Sequence, residues 1–336
     1  MTSPPLRRAV RTLLAAVAAA IAAPPPATAQ GAAAEVQRVL DSLAALPGAR
    51  LHAHVRHLER GWEAGVRADD PAPMASVYKL PIAIGVLAQV DAGRRTLGDT
   101  IRVGRGMFAP GHSPLARGTA GPSAAVTLDS ALVLMVGLSD NTLADVFLGV
   151  PGAAAINRTL ASRGVRGVAV GPTEREMALA MSGVGTWPAD RRWSPAAFDS
   201  VAATVPVDVR ASARARFLAD ARNTAAPRAL TTLLARLAEG RLLRPATTAR
   251  LLDVMRASPT GPGKLRAGLP PATPLAHKTG LFGDGVTSGD VGLVTLPEGR
   301  GTLAIAVVVV DATLADAEVD ARIAAVARAA YGAAMR

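Results

Sequence analysis

The chain has no cysteine, which excludes disulfides, thiolate nucleophiles and cysteine-bound metals. Aromatic residues make up 3% of the 336 positions, too few to build a base-stacking surface. The formal charge of +11 comes from scattered arginines rather than a basic run, so it does not argue for nucleic acid. The five histidines form no His-Glu-x-x-His pattern. His52 and His54 alternate within an apolar stretch and read as strand residues, not metal ligands. Past the N-terminal leader no segment is long and apolar enough to span a bilayer. Lysine is scarce as well: of 37 basic residues only Lys79, Lys264 and Lys278 are lysine.

Half the residues are apolar and 19% are charged, the balance of a folded chain able to bury a substantial core. Residues 1–29 have the pattern of a secretory signal. Arg7, Arg8 and Arg11 precede an apolar stretch from Leu13 to Ala23, and Ala27-Thr28-Ala29 offers a small-residue cleavage site before Gln30. The expected mature chain is 30–336, periplasmic or secreted, without a membrane anchor, and nothing in it calls for a second copy, so a monomer is expected.

Helical spacing runs over residues 31–47, with Val36, Val39, Leu40, Leu43 and Leu46 on one side. Two strands follow, Arg50 to Arg60 with Leu51, Ala53 and Val55 facing inward, and Trp62 to Val66. The proline-rich stretch Asp69 to Pro73 reads as a loop, and Lys79 to Val90 as an apolar helix. Gly93 to Pro122 reads as loop and Val126 to Leu138 as a helix, with further helices at Thr142–Leu148, Ala153–Ser162, Ala229–Gly240 and Thr247–Ser258. Residues 182–223 read as an insertion with some helix. Three strands close the sequence, at Leu275–Gly280, Ser288–Val294 and Leu303–Val310, before a last helix from Asp316 to Ala334. Ile305 to Val310 is apolar throughout and reads as a strand buried on both faces. The expected fold is α/β (α+β): one antiparallel sheet from both chain termini, flanked by helices, with an inserted all-α lobe. The sheet part covers about 30–90 and 259–336, the helical part about 91–258.

One stretch carries chemistry by itself. Ser76 and Lys79 stand three residues apart where an apolar helix begins, so their side chains share a face within reach of each other. A hydroxyl needs a neighbouring base to become a nucleophile, and arginine cannot serve because its guanidinium does not deprotonate. Ser139-Asp140-Asn141 after Leu138, taken alone, reads as a helix cap and turn rather than as a site. Thr173-x-x-Glu176 has the form of a capping box, which would occupy Glu176 and leave Glu174 free.

Taken together, Ser76-Val77-Tyr78-Lys79, Ser139-Asp140-Asn141 and Lys278-Thr279-Gly280 resemble, in order, the three motifs of the penicillin-recognising serine hydrolases, class A β-lactamases in particular. The similarity extends through Pro73-Met74-Ala75, His112-Ser113-Pro114 and Asn223-Thr224, and covers most of the mature chain. It implies that Ser76 is acylated, that Lys79 is its base or proton relay, and that Ser139 passes a proton to the leaving nitrogen. Asn141 would bind the substrate's side-chain amide, Lys278, Thr279 and Gly280 its carboxylate, and the N–H groups of Ser76 and Leu281 the oxyanion. No metal or organic cofactor is implied. The substrate is a β-lactam or a peptidoglycan stem peptide.

Release of the acyl group needs a base that activates water. An ungapped count from Val150-Pro151-Gly152 puts Glu174 at the family's glutamate, with Glu176 as the alternative two residues on. Ala178 stands where the family has an asparagine near that water. The expected activity is hydrolysis of the β-lactam amide through a Ser76 acyl-enzyme. A D,D-peptidase or esterase of the penicillin-binding type, or a binding module without turnover, are the alternatives.

Overall fold

The structure, a computed structural model, describes residues 27–282 and 286–336, with side chains from residue 29. Of the signal pattern, residues 1–26 lie outside the described residues.

Helix α1 (Ala27–Ala45) leads into a hairpin of β1 (Arg50–His57) and β2 (Glu63–Val66). At the other end of the chain come β8 (Leu275–Leu281), β9 (Ser288–Thr295), β10 (Thr302–Val310) and helix α12 (Asp316–Met335). These strands form one antiparallel sheet in the order β2-β1-β10-β9-β8, so the two chain ends meet in the β1–β10 ladder, which pairs Leu51 with Val309 and Val55 with Ile305.

Between the two ends the chain builds the helical lobe. A two-residue strand β3 (Ala72–Pro73) and a 3-10 turn (Ala75–Tyr78) precede α2 (Lys79–Asp91). A ribbon of β4 (Thr100–Gly104) and β5 (Ser123–Thr127) encloses the short α3 (Pro114–Gly118). Then come α4 (Leu128–Leu132), which continues into a π-helical turn, α5 (Asn141–Gly149), α6 (Ala153–Ser162) and β6 (Val168–Ala169). Helices α7 (Glu174–Ser182), α8 (Pro195–Ala203) and α9 (Val207–Leu218) follow, with β7 (Thr224–Ala225), α10 (Pro227–Ala238) and α11 (Pro245–Arg256) completing the lobe.

Two apolar cores result. One lies between the sheet and α1 with α12, joining Val36 and Leu40 to Ala53, Val55, Ile305, Val307, Ile323 and Val326. The other surrounds α2, in which every residue from Lys79 to Leu87 is buried. A helix apolar on all sides has to sit at the centre of its lobe, and this one carries the serine–lysine stretch at its N-terminus.

The structure departs from the sequence reading in four places. The Gly93–Pro122 stretch is not all loop, and the helix does not begin at Val126, because β4 and β5 pair there. Ile101 and Val103 are buried in alternation with exposed neighbours, and Thr127 closes the ribbon by capping α4 through the N–H of Ser130. The Asp69–Pro73 loop ends in β3, which pairs with β7 in a small sheet shared with β6. Leu46 is exposed, since α1 ends at Ala45. The His52–His54 face of β1 is buried as well as the Leu51–Val55 face, and α10 lies over its His54 end. His54 Nδ1 meets the Thr231 hydroxyl at 2.6 Å, and burial pushes its pKa down to about 4.

Candidate active site

Ser76 lies in the 3-10 turn just before α2, one residue after Ala75, whose backbone is left-handed (φ 44°). Such a conformation is costly for a residue with a Cβ, and here the buried turn holds it. Strand β8 passes close beside the turn. A Cβ on Gly280 would lie 2.7 Å from the carbonyl oxygen of Met74, so only glycine lets the strand approach this near.

Lys79, the first residue of α2, is fully buried. Its Nζ donates to Ser76 Oγ at 2.9 Å, to Asn141 Oδ1 at 2.6 Å and to the Ser139 carbonyl at 3.0 Å, and it lies 2.9 Å from Glu174 Oε1. Four oxygens thus compete for a group that has at most three N–H bonds. The amine is the junction through which the serine hydroxyl and the glutamate communicate.

Ser139 precedes α5 in a left-handed conformation (φ 62°). Its hydroxyl accepts from Lys278 Nζ at 3.0 Å while its carbonyl accepts from Lys79. Asp140 is the capping residue of the triplet: it is buried and accepts the N–H of Leu143 and Leu115 and the hydroxyl of Ser113. Asp140 thus supplies the cap of the triplet, while Ser139 and Asn141 contact the two buried lysines. Asn141 donates from Nδ2 to the Pro110 carbonyl, which leaves its amide fixed at the edge of the cleft.

Lys278, on β8, is also fully buried. Burial, reinforced by the nearby charge of Lys79, pulls its pKa down to about 7 against the opposing carboxylates of Asp290 and Glu174. Thr279 donates its hydroxyl to Thr260, and Leu281 is exposed where the strand ends.

These groups line one cavity of about 1050 Å³. Ser76, Ser139, Asn141, Glu174, Thr279, Gly280 and Leu281 all face it, with the two site lysines packed beneath. Helices α8 and α9 supply another wall through Phe198, Val207, Arg210 and Arg214. A buried lysine in contact with a hydroxyl and a carboxylate, and a second buried lysine on another hydroxyl, are the parts needed to move protons during acyl transfer.

A family model described as "Beta-lactamase enzyme family" matches residues 31–334. The chain belongs to the β-lactamase enzyme family. It is 28% identical to the extended-spectrum β-lactamase PER-1 of Pseudomonas aeruginosa over 265 residues, covering 77% of this chain and 74% of that protein. It is also 28% identical to a β-lactamase of Streptomyces albus G over 326 residues, covering 91% and 90%. Among solved structures, a β-lactamase from Chitinophaga pinensis superposes with a TM-score of 0.74 at 28% identity, covering 89% of this chain and 99% of that one. An ancestral class A β-lactamase gives 0.70 at the same identity, covering 88% and 98%. The fold is that of the class A enzymes.

Within this β-lactamase fold the two candidate glutamates separate cleanly. Glu176 is exposed and held in the capping box, accepting the N–H and hydroxyl of Thr173 at 2.8 and 2.9 Å. Glu174 turns the other way, into the cavity and onto Lys79. Ala178 lines the same cavity one helical turn further on.

Two residues of the site escaped the sequence reading. Asp145 accepts the N–H groups of Glu174 and Arg175 at 2.6 and 3.2 Å, fastening the start of α7 to α5. Burial and the charge of Glu174 raise its pKa to about 7. Its signal was its place four residues after Asn141, on the same face of a helix. Lys264, the third lysine, lines the cavity and bonds Asp320 at 2.5 Å and the Ser288 hydroxyl. Its scarcity marked it in sequence, but its partners are distant in the chain.

Proposed function

We propose that this chain is a serine β-lactamase of the class A type, exported to the periplasm or beyond the cell, that hydrolyses the β-lactam amide through an acyl-enzyme on Ser76. The observation that carries the proposal is the position of Lys79 Nζ, 2.9 Å from both Ser76 Oγ and Glu174 Oε1.

In acylation the Ser76 proton passes to Lys79 as Oγ attacks the lactam carbonyl. The C–N bond then breaks, and the proton taken up by Lys79 is relayed through the Ser139 hydroxyl to the leaving nitrogen, so that both groups return to their starting states, with Lys278 beside Ser139 to hold the charge. The N–H groups of Ser76 and Leu281 receive the oxyanion; donors in such a position are worth about 3–4 kcal/mol each in hydrolases of this kind. Lys278 and Thr279 bind the substrate carboxylate, with Gly280 allowing the close approach of β8, and Asn141 binds the side-chain amide. In deacylation Glu174 takes a proton from water and the water oxygen attacks the ester carbon; as the ester C–O bond breaks, that proton passes from Glu174 through Lys79 to Ser76 Oγ, which restores the serine and the carboxylate. Every group in this scheme comes from one chain, which supports a monomer as the working unit. Export rests on the N-terminal pattern of residues 1–29.

The test is to mix the mature chain with a chromogenic cephalosporin and follow colour and intact mass together. Sustained turnover with no lasting adduct is expected. A persistent adduct without turnover would overturn the proposal in favour of a penicillin-binding protein, and neither signal would leave a module that does not react.

A further inference from the structure

The 182–223 insertion supplies more than a cavity wall. Only 3% of the chain is aromatic, yet two of its three tryptophans meet here. Trp187 packs edge-on against Trp193 with ring centres 4.9 Å apart, and Trp193 contacts Phe198 at 5.9 Å. Trp193 is anchored within the helical lobe, donating its indole N–H to the Phe108 carbonyl at 2.8 Å. Its ring lies under the guanidinium of Arg175, 4.0 Å from ring centre to Cζ.

Arg175 is the residue after Glu174. Its Nη2 donates to the Gly106 carbonyl at 2.6 Å, whereas its Nε is buried with no hydrogen-bond acceptor, so the indole face is what that side of the cation receives. Other restraints on the start of α7 are the capping box, which is exposed, Asp145, which holds only backbone N–H groups, and Lys79, which meets the Glu174 carboxylate itself. Two side-chain contacts tie this helical turn to the 105–108 segment: the Arg175–Gly106 hydrogen bond and the Trp193–Arg175 stack, whose indole is bonded to Phe108.

We infer that Trp193 is a positioning residue for deacylation: through Arg175 it clamps the first turn of α7 and so holds the Glu174 carboxylate at the acyl-enzyme. The inference rests on Glu174 being the deacylation base. Acylation at Ser76 draws on residues of α2, the Ser139 loop and β8, none of which the stack touches. Loosening the clamp therefore slows one half of the reaction and spares the other.

The experiment measures acylation and deacylation separately, by rapid mixing and intact mass, in Trp193→Leu, Trp193→Phe and Arg175→Lys, with Glu174→Ala as reference. Leucine keeps apolar bulk but offers no π-face, and lysine keeps charge but not the plane. Both variants are expected to deacylate roughly ten- to a hundredfold more slowly, the range a displaced catalytic group produces, and to accumulate adduct while acylation stays within about threefold of the parent. Trp193→Phe is expected to restore deacylation. Parental deacylation in Trp193→Leu, or equal loss of both steps, overturns the clamp; should that variant not fold, Arg175→Lys is judged by the same criteria. Adduct in Glu174→Ala without adduct in the clamp variants sinks the clamp alone. No adduct in Glu174→Ala sinks the deacylation assignment and the clamp with it.

Discussion

Lys278 sits at the threshold of ionisation, and that sets a pH limit on binding. With its pKa pulled down to about 7 by burial, the free site loses its cation as pH rises through neutrality, and the substrate carboxylate loses its partner. The expected result is a kcat/KM that falls on the alkaline side near 7, carried mostly by KM. Lys278→Arg keeps the charge at all working pH and should flatten that limb, at some cost in fit; an unchanged alkaline limb would reject the assignment. For folding the sign runs the other way. Between about 7 and the usual lysine range the unfolded chain binds the extra proton, so this residue makes stability rise with pH. The neighbouring glutamates give a second contrast: Glu176→Ala should cost about 1 kcal/mol in melting experiments through its cap but leave turnover intact. At this scale the sequence was informative wherever partners lie close in the chain. The Ser76–Lys79 spacing and the Thr173–Glu176 box could both be read directly, and the box correctly freed Glu174. Asp145 and Lys264 could not, because their meaning depends on α7 and α12 arriving beside them.

Among the elements, β8 lies close against the turn carrying Ser76. Gly280→Ala would place a methyl 2.7 Å from the Met74 carbonyl, forcing strand and turn apart. An overpacked site of this kind typically costs about 1–3 kcal/mol, so a lower melting temperature is expected together with at least a tenfold loss of kcat/KM. Full activity in that variant would mean that the turn moves freely. Elements with a strong period were legible: α2, α5, α6, α10, α11 and the strands β8 to β10 all stand within a few residues of where the pattern puts them. The β4–β5 ribbon was not, because its strands are only five residues each and recognisable only once paired with each other. The second buried face of β1 was hidden for a similar reason. His54 looks solvent-facing until α10 lies over it.

At the scale of the whole molecule, the two chain ends build the sheet and the segment between them builds the lobe, which leaves the cleft at their junction. That arrangement was legible because strands cluster at both ends of the sequence and helices between. The role of the 182–223 segment was not, since its contacts are aromatic and long-range rather than periodic. A chain with no cysteine, whose proposed reaction runs on lysines, serines and one glutamate, should be indifferent to both reductant and chelator. Turnover and melting temperature are expected to stay unchanged after dithiothreitol or after dialysis against EDTA, and loss of activity on chelation would reveal a metal in the reaction. The central claim is that Ser76 takes the acyl group and Glu174 releases it. It is tested most directly by trapping Glu174→Ala with a β-lactam, digesting the adduct and locating the added mass. The account predicts a stable adduct on the peptide bearing Ser76, removed entirely by Ser76→Ala; an adduct on any other residue, or a Glu174→Ala enzyme that still turns over at the parental rate, would contradict it.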